Sequence, residues 1–332
     1  MTSQPSSSSD QTTLVTGGAG FIGSHLVDVL LARGERVICL DNFSDYYNPA
    51  IKRHNITAHL QHPNYVLVEG DIRDRTLVMQ VFEQYRPARV AHLAAMAGVR
   101  YSVERAPLYV DVNLQGSIHL LDAAREYGVL NFVQASTSSI YGATDQFPFR
   151  EDQPADRPLA PYPATKKACE VMGYAYHNMF GLNFTALRFF TVYGPRVRPD
   201  MMAYTVMESI LHEKEITVYG PPDMHRDWTY VDDIVSGVVA ALDTPLGYEI
   251  INIGRGEPVR LADFVDIIQE LVGKPARIKT VPAPPSEPPI TYANVDKARR
   301  LLGYQPHTSI REGLRHTWAW YQAIEHLSSS AG

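Results

Sequence analysis

Tyr162 and Lys166 stand four positions apart in Tyr162-Pro-Ala-Thr-Lys166, and of the nineteen tyrosines only this one has a lysine at that spacing. On a helix an i,i+4 pair shares one face, with Cβ atoms about 5–6 Å apart. Pro163 suits a first helical turn, so Tyr162 is expected where the helix begins. Lys167 is one step round and cannot serve equally. A phenol acting as a base near pH 7 must come down from its ordinary value near 10, at a cost of about 4 kcal/mol. Neighbouring positive charges can supply that. Alone, such a pair is more often surface packing than chemistry, so its meaning depends on what the fold brings beside it.

Two further runs carry chemistry. Ser136-Thr-Ser-Ser-Ile-Tyr-Gly142 follows the strand-like Asn131-Phe-Val-Gln-Ala135. Ligands of parallel sheets gather at the carboxyl ends of strands. Hydroxyls there can hold a substrate hydroxyl or relay its proton; the plainer alternative is a serine-rich turn satisfying its own backbone. Near the start, Thr12-Thr-Leu-Val-Thr16 runs into Gly17-Gly-Ala-Gly-Phe-Ile-Gly23 and then a helical pattern. Gly17, Gly20 and Gly23 permit a tight turn whose backbone N–H groups and helix N-terminus can approach a pyrophosphate. Asp41 ends the next strand, where a carboxylate accepts from ribose hydroxyls and repels a 2′-phosphate. NAD is therefore the expected cofactor, in preference to NADP.

The elements that must position these residues alternate. Short apolar runs at 36–40, 65–68, 89–93, 131–135 and 184–187 read as strands, and 21–33, 75–85, 112–127 and 163–180 have helical spacing. This predicts βαβ units in a Rossmann-type, doubly wound parallel α/β sheet. After Thr191 prolines and irregular polar segments multiply, as in a smaller mixed α/β substrate domain, and the strand-like Tyr248-Glu-Ile-Ile-Asn-Ile253 returns to the first domain. The expected division is a disordered Ser-rich tail over 1–10, a NAD-binding domain over 11–190 and 229–258, and a substrate domain over 191–228 and 259–324. The chain of 332 residues carries a formal charge of −6, which argues against a nucleic-acid partner. Two cysteines fit a reducing compartment. No basic-then-apolar leader pattern and no run of about 18 apolar residues is present, so a soluble, cytoplasmic protein without a membrane span is expected.

Taken together, these motifs resemble the extended short-chain dehydrogenases/reductases, in the nucleotide-sugar epimerase branch, from about residue 12 to 320. Asp41-Asn42, Asp71-Ile72, His92-Leu-Ala-Ala95 and Arg226-Asp-Trp-Thr-Tyr-Val-Asp-Asp233 add to the likeness. Ala97-Gly-Val-Arg-Tyr-Ser102 and Arg188-Phe-Phe-Thr-Val-Tyr-Gly-Pro-Arg-Val-Arg-Pro-Asp-Met-Met202 make it most similar to UDP-glucuronate 4-epimerases, although Arg196-Val197 departs from their usual pattern. The resemblance implies that Thr137 orients the sugar hydroxyl, that Tyr162 is the base and acid, and that Lys166 lowers its pKa and holds the nicotinamide ribose. It places Gly17, Gly20, Phe21, Ile22, Gly23, Asp41, Asn42, Ser44, Asp71, Ile72, Leu93, Ala94 and Ala95 along the dinucleotide. On the substrate side it implies Val99, Arg100, Ser138 and Ser139, with Thr191 and Arg198 beside the sugar carboxylate, Arg226 near the diphosphate and Glu287 near the uridine ribose.

In such a reaction hydride leaves C4, the 4-keto sugar turns over, and hydride returns to the opposite face without net redox. With a C5 carboxylate the intermediate is a β-keto acid prone to lose CO₂. An arginine and hydroxyls gripping the carboxylate can hold it away from the perpendicular geometry that favours loss. Dehydratases of this branch use an Asp-Glu pair after the threonine, and decarboxylases a Glu before the hydrophobic-Tyr-Gly step. Ser138 and Ser139 stand there instead, and serine protonates a carbanion poorly. The expected function is NAD-dependent 4-epimerisation of UDP-glucuronate to UDP-galacturonate. The alternatives are a UDP-glucose 4-epimerase, a UDP-glucuronate decarboxylase or, from another class, a NAD-binding scaffold. The resemblance implies a homodimer: 112–127 and 163–180 carry apolar residues on more than one face, and in similar enzymes these helices pair across a two-fold axis as a four-helix bundle. No metal is expected: His54, His59 and His62 lack companion thiols or carboxylates and read as solvated. Cys39 reads as a buried strand residue, Cys169 as unreactive, and Trp318, Trp320 and Tyr321 as packing of a terminal helix.

Overall fold

A computed structural model describes residues 11–328 apart from 222, 287 and 289. The tail expected over 1–10 lies outside the described residues. Thirteen strands are described: β1 (Thr12–Thr16), β2 (Arg36–Asp41), β3 (Tyr65–Glu69), β4 (Arg89–His92), β5 (Asn131–Thr137), β6 (Phe184–Phe189), β7 (Thr191–Tyr193), β8 (Glu215–Tyr219), β9 (His225–Arg226), β10 (Trp228–Tyr230), β11 (Tyr248–Ile253), β12 (Val259–Arg260) and β13 (Arg277–Val281). The helices are α1 (Phe21–Ala32), α2 (Pro49–Ile56), α3 (Arg75–Tyr85), α4 (Val99–Ser102), α5 (Ala106–Tyr109), α6 (Gly116–Glu126), α7 (Pro161–Phe180), α8 (Met202–Leu211), α9 (Val231–Asp243), α10 (Leu261–Val272), α11 (Asp296–Leu302) and α12 (Ile310–Ser328).

Seven strands form one parallel sheet in the order β11-β6-β5-β4-β1-β2-β3. Side chains alternate along each strand, so neighbouring residues enter opposite cores. Leu14, Ile38, Val90 and Phe132 pack with α3 and α6 on one face, while Val15, Cys39, Ala91 and Val133 pack with α1 and α9 on the other. Burial on both faces explains why these strands read as continuous apolar runs. The chain builds outward from β1 to β3, then restarts at β4 beside β1 and builds the other way. The crevice at that reversal is where ligands of such sheets bind.

Several element limits differ from the sequence reading, β6 among them, which runs on to Phe189. The helix expected from 112 opens as a π-helical segment, Val110–Gln115, before α6. Its Asn113 side chain accepts from Met96 N (2.8 Å) and donates to Met96 O (3.0 Å), a tie to a distant loop that no helical periodicity encodes. β5 continues past Ala135 to Thr137. Helix α7 starts at Pro161, so Tyr162 is its second residue, and it stops at Gly181 in the left-handed region, φ 69°.

Candidate active site

A cavity of about 500 Å³ opens at the carboxyl ends of β1, β2, β4 and β5. Its wall brings together Gly17, Gly20, Phe21, Ile22, Gly23, Asp41, Asn42, Ser44, Asp71, Ile72, Leu93, Ala94, Ala95, Val99, Thr137, Ser138, Ser139, Tyr162, Lys166, Thr191 and Arg198. Arg100 stands outside that wall, stacked over the Tyr219 ring at 3.9 Å. Arg226 also stands outside it, on β9, donating to the His225 carbonyl at 2.9 Å. Glu287 lies outside the described residues.

At one end is the glycine turn. Gly17 has φ +70°, and a Cβ there would lie 2.8 Å from Ala94 N; at Gly23 it would lie 2.1 Å from Gly17 O. Side chains at either place would prise the turn from the β4 loop or from α1. The first N–H groups of α1 have no partner within the helix, and its first turn contains no acid, so a positive helix end faces the crevice. Asp41 Oδ2 accepts from Ala19 N at 3.2 Å, and Oδ1 from Phe43 N at 2.9 Å and Lys52 Nζ at 3.3 Å. A carboxylate has about four acceptor sites, so one stays open for a ribose hydroxyl. Asp71 is held by Arg73 and Asn42, which bring its carboxyl down to about 2 despite partial burial.

At the other end β5 delivers Thr137, whose Oγ1 accepts from Ser139 N at 3.2 Å and caps the short helical turn Ser138–Tyr141. Thr137 shares the cavity wall with the Tyr162 phenol. Burial pushes that phenol up; the Arg198 charge and the Thr137 hydroxyl pull the other way. Lys166 is buried, which lowers its pKa, and its Nζ donates to Ala135 O at 2.9 Å. Arg198 thus joins Lys166, singled out from spacing, as a positive group of this end of the cavity.

Arg198 donates from Nε to Asp200 Oδ1 (2.9 Å) and from a terminal amino group to Oδ2 (3.0 Å), leaving its other amino group uncommitted to Asp200. Tyr46 reaches across from the loop after β2 to donate to Asp200 at 3.1 Å. Tyr46, Tyr47 and Lys52 all line the cavity and were not singled out from the sequence. The Asp45-Tyr-Tyr-Asn-Pro49 run after the acid-ending strand was the available signal. Thr191 is placed by its N–H donating to Asp227 O at 3.1 Å. The Asp227 carboxylate, pushed up by burial, accepts from Arg255 N, Gly256 N, Ala293 N and the Thr229 hydroxyl, which makes it a scaffold rather than a free acid.

The histidine reading needs correction at one position. His59 is buried rather than solvated and pairs with Asp28 at 2.5 Å, because residues 57–62 turn back onto α1. Among the described residues no group of three or more His, Cys, Asp or Glu is arranged to hold a metal. No described helix is long and apolar enough to cross a membrane. Cys39 and Cys169 are both buried and unpaired, with burial raising the Cys39 thiol to about 12.

Known proteins share this sequence and shape. The chain matches the family model described as GDP-mannose 4,6 dehydratase over residues 14–317. It is 41% identical over 308 residues to a UDP-glucuronate 4-epimerase of Thermodesulfobacterium geofontis, covering 92% of this chain and 95% of that one. A crystal structure of a UDP-glucuronic acid 4-epimerase from Bacillus cereus, in complex with UDP-glucuronic acid and NAD, superposes with a TM-score of 0.90 at 34% identity, covering 95% and 100% of the two chains. The UDP-glucose 4-epimerase of Thermotoga maritima with UDP-glucose superposes with a TM-score of 0.87 at 31% identity, over 95% and 100%. With a glycine turn, an acid-ended second strand and a Thr–Tyr–Lys set around one crevice, the chain belongs to the GDP-mannose 4,6-dehydratase family of extended short-chain dehydrogenases/reductases, among its nucleotide-sugar 4-epimerases.

Proposed function

We propose that the protein is a NAD-dependent UDP-glucuronate 4-epimerase, interconverting UDP-glucuronate and UDP-galacturonate. The observation that carries this reading is the convergence of Thr137, Tyr162 and Arg198 on one cavity whose other wall fits a dinucleotide. That wall has a turn with no room for a Cβ, an open helix end for a pyrophosphate and one spare acceptor on Asp41 for a ribose. A 2′-phosphate would meet the Asp41 charge. NAD⁺, when bound, supplies a hydride acceptor for C4 and a positive ring near the phenol.

The chain's own residues do the rest. Tyr162 Oη takes the proton of the C4 hydroxyl and returns it to the 4-keto oxygen once the sugar has turned. Thr137 orients that hydroxyl, and Lys166, held by the Ala135 carbonyl, presents its remaining protons to the nicotinamide ribose. Arg198, gripped on one edge by Asp200, offers its free amino group to the C5 carboxylate, with Thr191, Ser138 and Ser139 contributing hydroxyls. Charge-assisted contacts of this kind keep the negative charge localised, which opposes CO₂ loss. Asn42, Ser44, Asp71, Ile72 and Leu93 to Ala95 border the adenosine and the dinucleotide. Val99, Arg100 and Arg226 serve the UDP end, with Glu287 at the uridine ribose. The division into a dinucleotide domain (11–190, 229–258) and a sugar domain (191–228, 259–324) follows the same reading.

The protein acts as a cytoplasmic homodimer in this account. Val171, Tyr174, Met179 and Phe180 on α7 are 50–69% exposed, an apolar surface suited to a second copy. Two buried free thiols suit a reducing compartment. A monomer mass by light scattering at micromolar protein would remove the dimer.

The decisive experiment is incubation of the purified protein with UDP-glucuronate and no added reductant, beside a parallel assay with UDP-glucose. UDP-galacturonate is the expected product, formed faster than UDP-galactose is formed from UDP-glucose. Preference for UDP-glucose would move the assignment to the hexose enzyme, and release of a UDP-pentose with CO₂ would move it to the decarboxylase.

A further inference from the structure

Three consecutive residues at the end of β5 face α7, and two of them are hydrogen-bonded to it. Ala135 O accepts from Lys166 Nζ at 2.9 Å, Ser136 Oγ donates to Glu170 Oε1 at 2.7 Å, and Thr137 lines the cavity together with Tyr162. On the helix the partners sit at successive four-residue steps, 162, 166 and 170, so they form a row along the face that meets the strand. Two rungs of this ladder belong to the proposed chemistry. The third, Glu170, lies outside the cavity wall.

Glu170 is also bound from β6: Arg188 donates from Nε to Oε1 and from a terminal amino group to Oε2, both at 2.9 Å. Lys167 adds a contact to Oε2 at 3.3 Å. Arg188 stacks on the Tyr141 ring at 4.7 Å, and the Tyr141 hydroxyl donates to Asn252 on β11 at 2.7 Å. Glu170 and Arg188 are each 1% exposed. A buried ion pair is a poor device for stability alone, since apolar side chains of similar volume do as well or better. It excels at fixed geometry, because a bidentate fork tolerates little displacement.

We infer that Glu170 is a positioning residue for the reaction at Tyr162, pinning the ends of β5 and β6 against α7 so that Thr137 and Tyr162 are presented to the same cavity. The inference rests on the epimerase reading of the cavity. Ser136 is the link through which Glu170 sets the register, and Arg188 is the brace that holds Glu170. The charged or titratable groups facing Tyr162 itself are Arg198, Lys166 on the same helix, and Tyr109, whose ring centre is 6.1 Å away. None of these is altered by changing the ladder's third rung.

Two variants test it. Ser136→Ala removes the link and leaves Glu170 paired with Arg188, so folding is preserved. The double variant Glu170→Gln with Arg188→Met removes both buried charges together. Each should lower kcat about 10- to 100-fold, as small misplacements of reacting groups do, with KM for UDP-glucuronate, bound dinucleotide and melting temperature close to wild type. The rising acid limb of the kcat–pH profile should move to higher pH, because a phenolate displaced from the Arg198 charge and the Thr137 hydroxyl is harder to form. Wild-type kcat and pH profile in folded Ser136→Ala would overturn the inference. So would losses that track melting temperature and vanish on cooling. If the double variant fails to fold, Ser136→Ala decides. Failure of the epimerase reading looks different, since the wild type itself would then leave UDP-glucuronate unchanged. In that event a crystal structure of Ser136→Ala still judges the ladder: a shift of Thr137 relative to Tyr162 supports it, and an unchanged placement overturns it.

Discussion

Apart from the Glu170–Arg188 brace, the two ends of the parallel strands treat buried charge in opposite ways. At the amino ends, Glu35 before β2 is fully buried and paired with Arg89 of β4; Arg33 reaches it at 3.1 Å, and Arg89 also holds Asp243 at 2.7 Å. Thr13 at the start of β1 donates to Glu35 at 3.2 Å. Each charged side chain there is paired with another of the same cluster, although Arg89 Nε itself has no hydrogen-bond partner. At the carboxyl ends, Arg198 uses one edge on Asp200, Asp41 keeps an acceptor site, and Tyr162 holds an ionisable oxygen in the cavity wall. A parallel sheet aims helix N-termini at the second end only, so an anion-accepting field is free there and absent at the first. Self-satisfied polar groups hold a sheet together; polar groups left with capacity can meet a ligand.

The comparison breaks most sharply at Tyr162. Tyr162→Phe should lower interconversion about 10³-fold, within the usual range for a lost proton-transfer group. Bound dinucleotide and melting temperature should stay near wild type. Activity close to wild type would show that another group moves the proton.

Glu35→Ala should do the reverse. It removes one of Arg89's carboxylate partners, leaving Asp243 and Thr13, and should lower unfolding free energy by about 1–3 kcal/mol, read from denaturant curves, while kcat per folded molecule is unchanged. A kcat loss without destabilisation would erase the distinction between the ends.

Arg198→Leu sharpens the comparison within the site. Loss of a hydrogen bond to a charged partner is expected to lower kcat/KM for UDP-glucuronate about 10- to 100-fold, with a smaller change for UDP-glucose. A fraction of UDP-pentose should also form once the carboxylate is less firmly held. Equal losses on both sugars would mean that Arg198 does not read the carboxylate.

What the sequence disclosed follows from the range of the interactions involved. β11 and α3 match their expected limits because burial on two faces or one leaves a local pattern. The glycine turn and the Tyr162–Lys166 spacing are local as well, being constraints within one turn. The loop after β2 was opaque for the opposite reason. Phe43 sits at φ 49° to let Asp41 accept its N–H, and Tyr46 finds its partner Asp200 across 154 positions. Arg196, where the chain departs from the usual epimerase pattern, has φ 63° and pairs with Asp28 of α1 at 2.6 Å. Lys52 reaches Asp41 only because α2 folds back over the end of β2. Such contacts exist only once the chain is folded, and no spacing rule within a single element exposes them.

His92 tests the boundary between the two regimes. It ends β4 at the ligand side, yet it is fully buried, with Nδ1 2.7 Å from the Thr16 hydroxyl and Nε2 2.8 Å from Ser117. Ser117 donates onward to the Asn113 carbonyl, so the ring N–H points from Nε2 and Nδ1 accepts. Burial, aided by the Lys166 charge, brings the imidazole down to about 3 from its ordinary 6.5. The unfolded chain therefore takes up the proton first as pH falls, and stability declines between about 6.5 and about 3, then levels off. One such group removes about 1.4 kcal/mol between neutral pH and pH 5.5. Denaturant unfolding at pH 7.5 and 5.5 should show a drop larger by about that amount in wild type than in His92→Gln, which can keep a donor and an acceptor but cannot titrate. Equal drops would place His92 with the groups left open to ligand and solvent, rather than with the sealed polar contacts at the other end of the sheet.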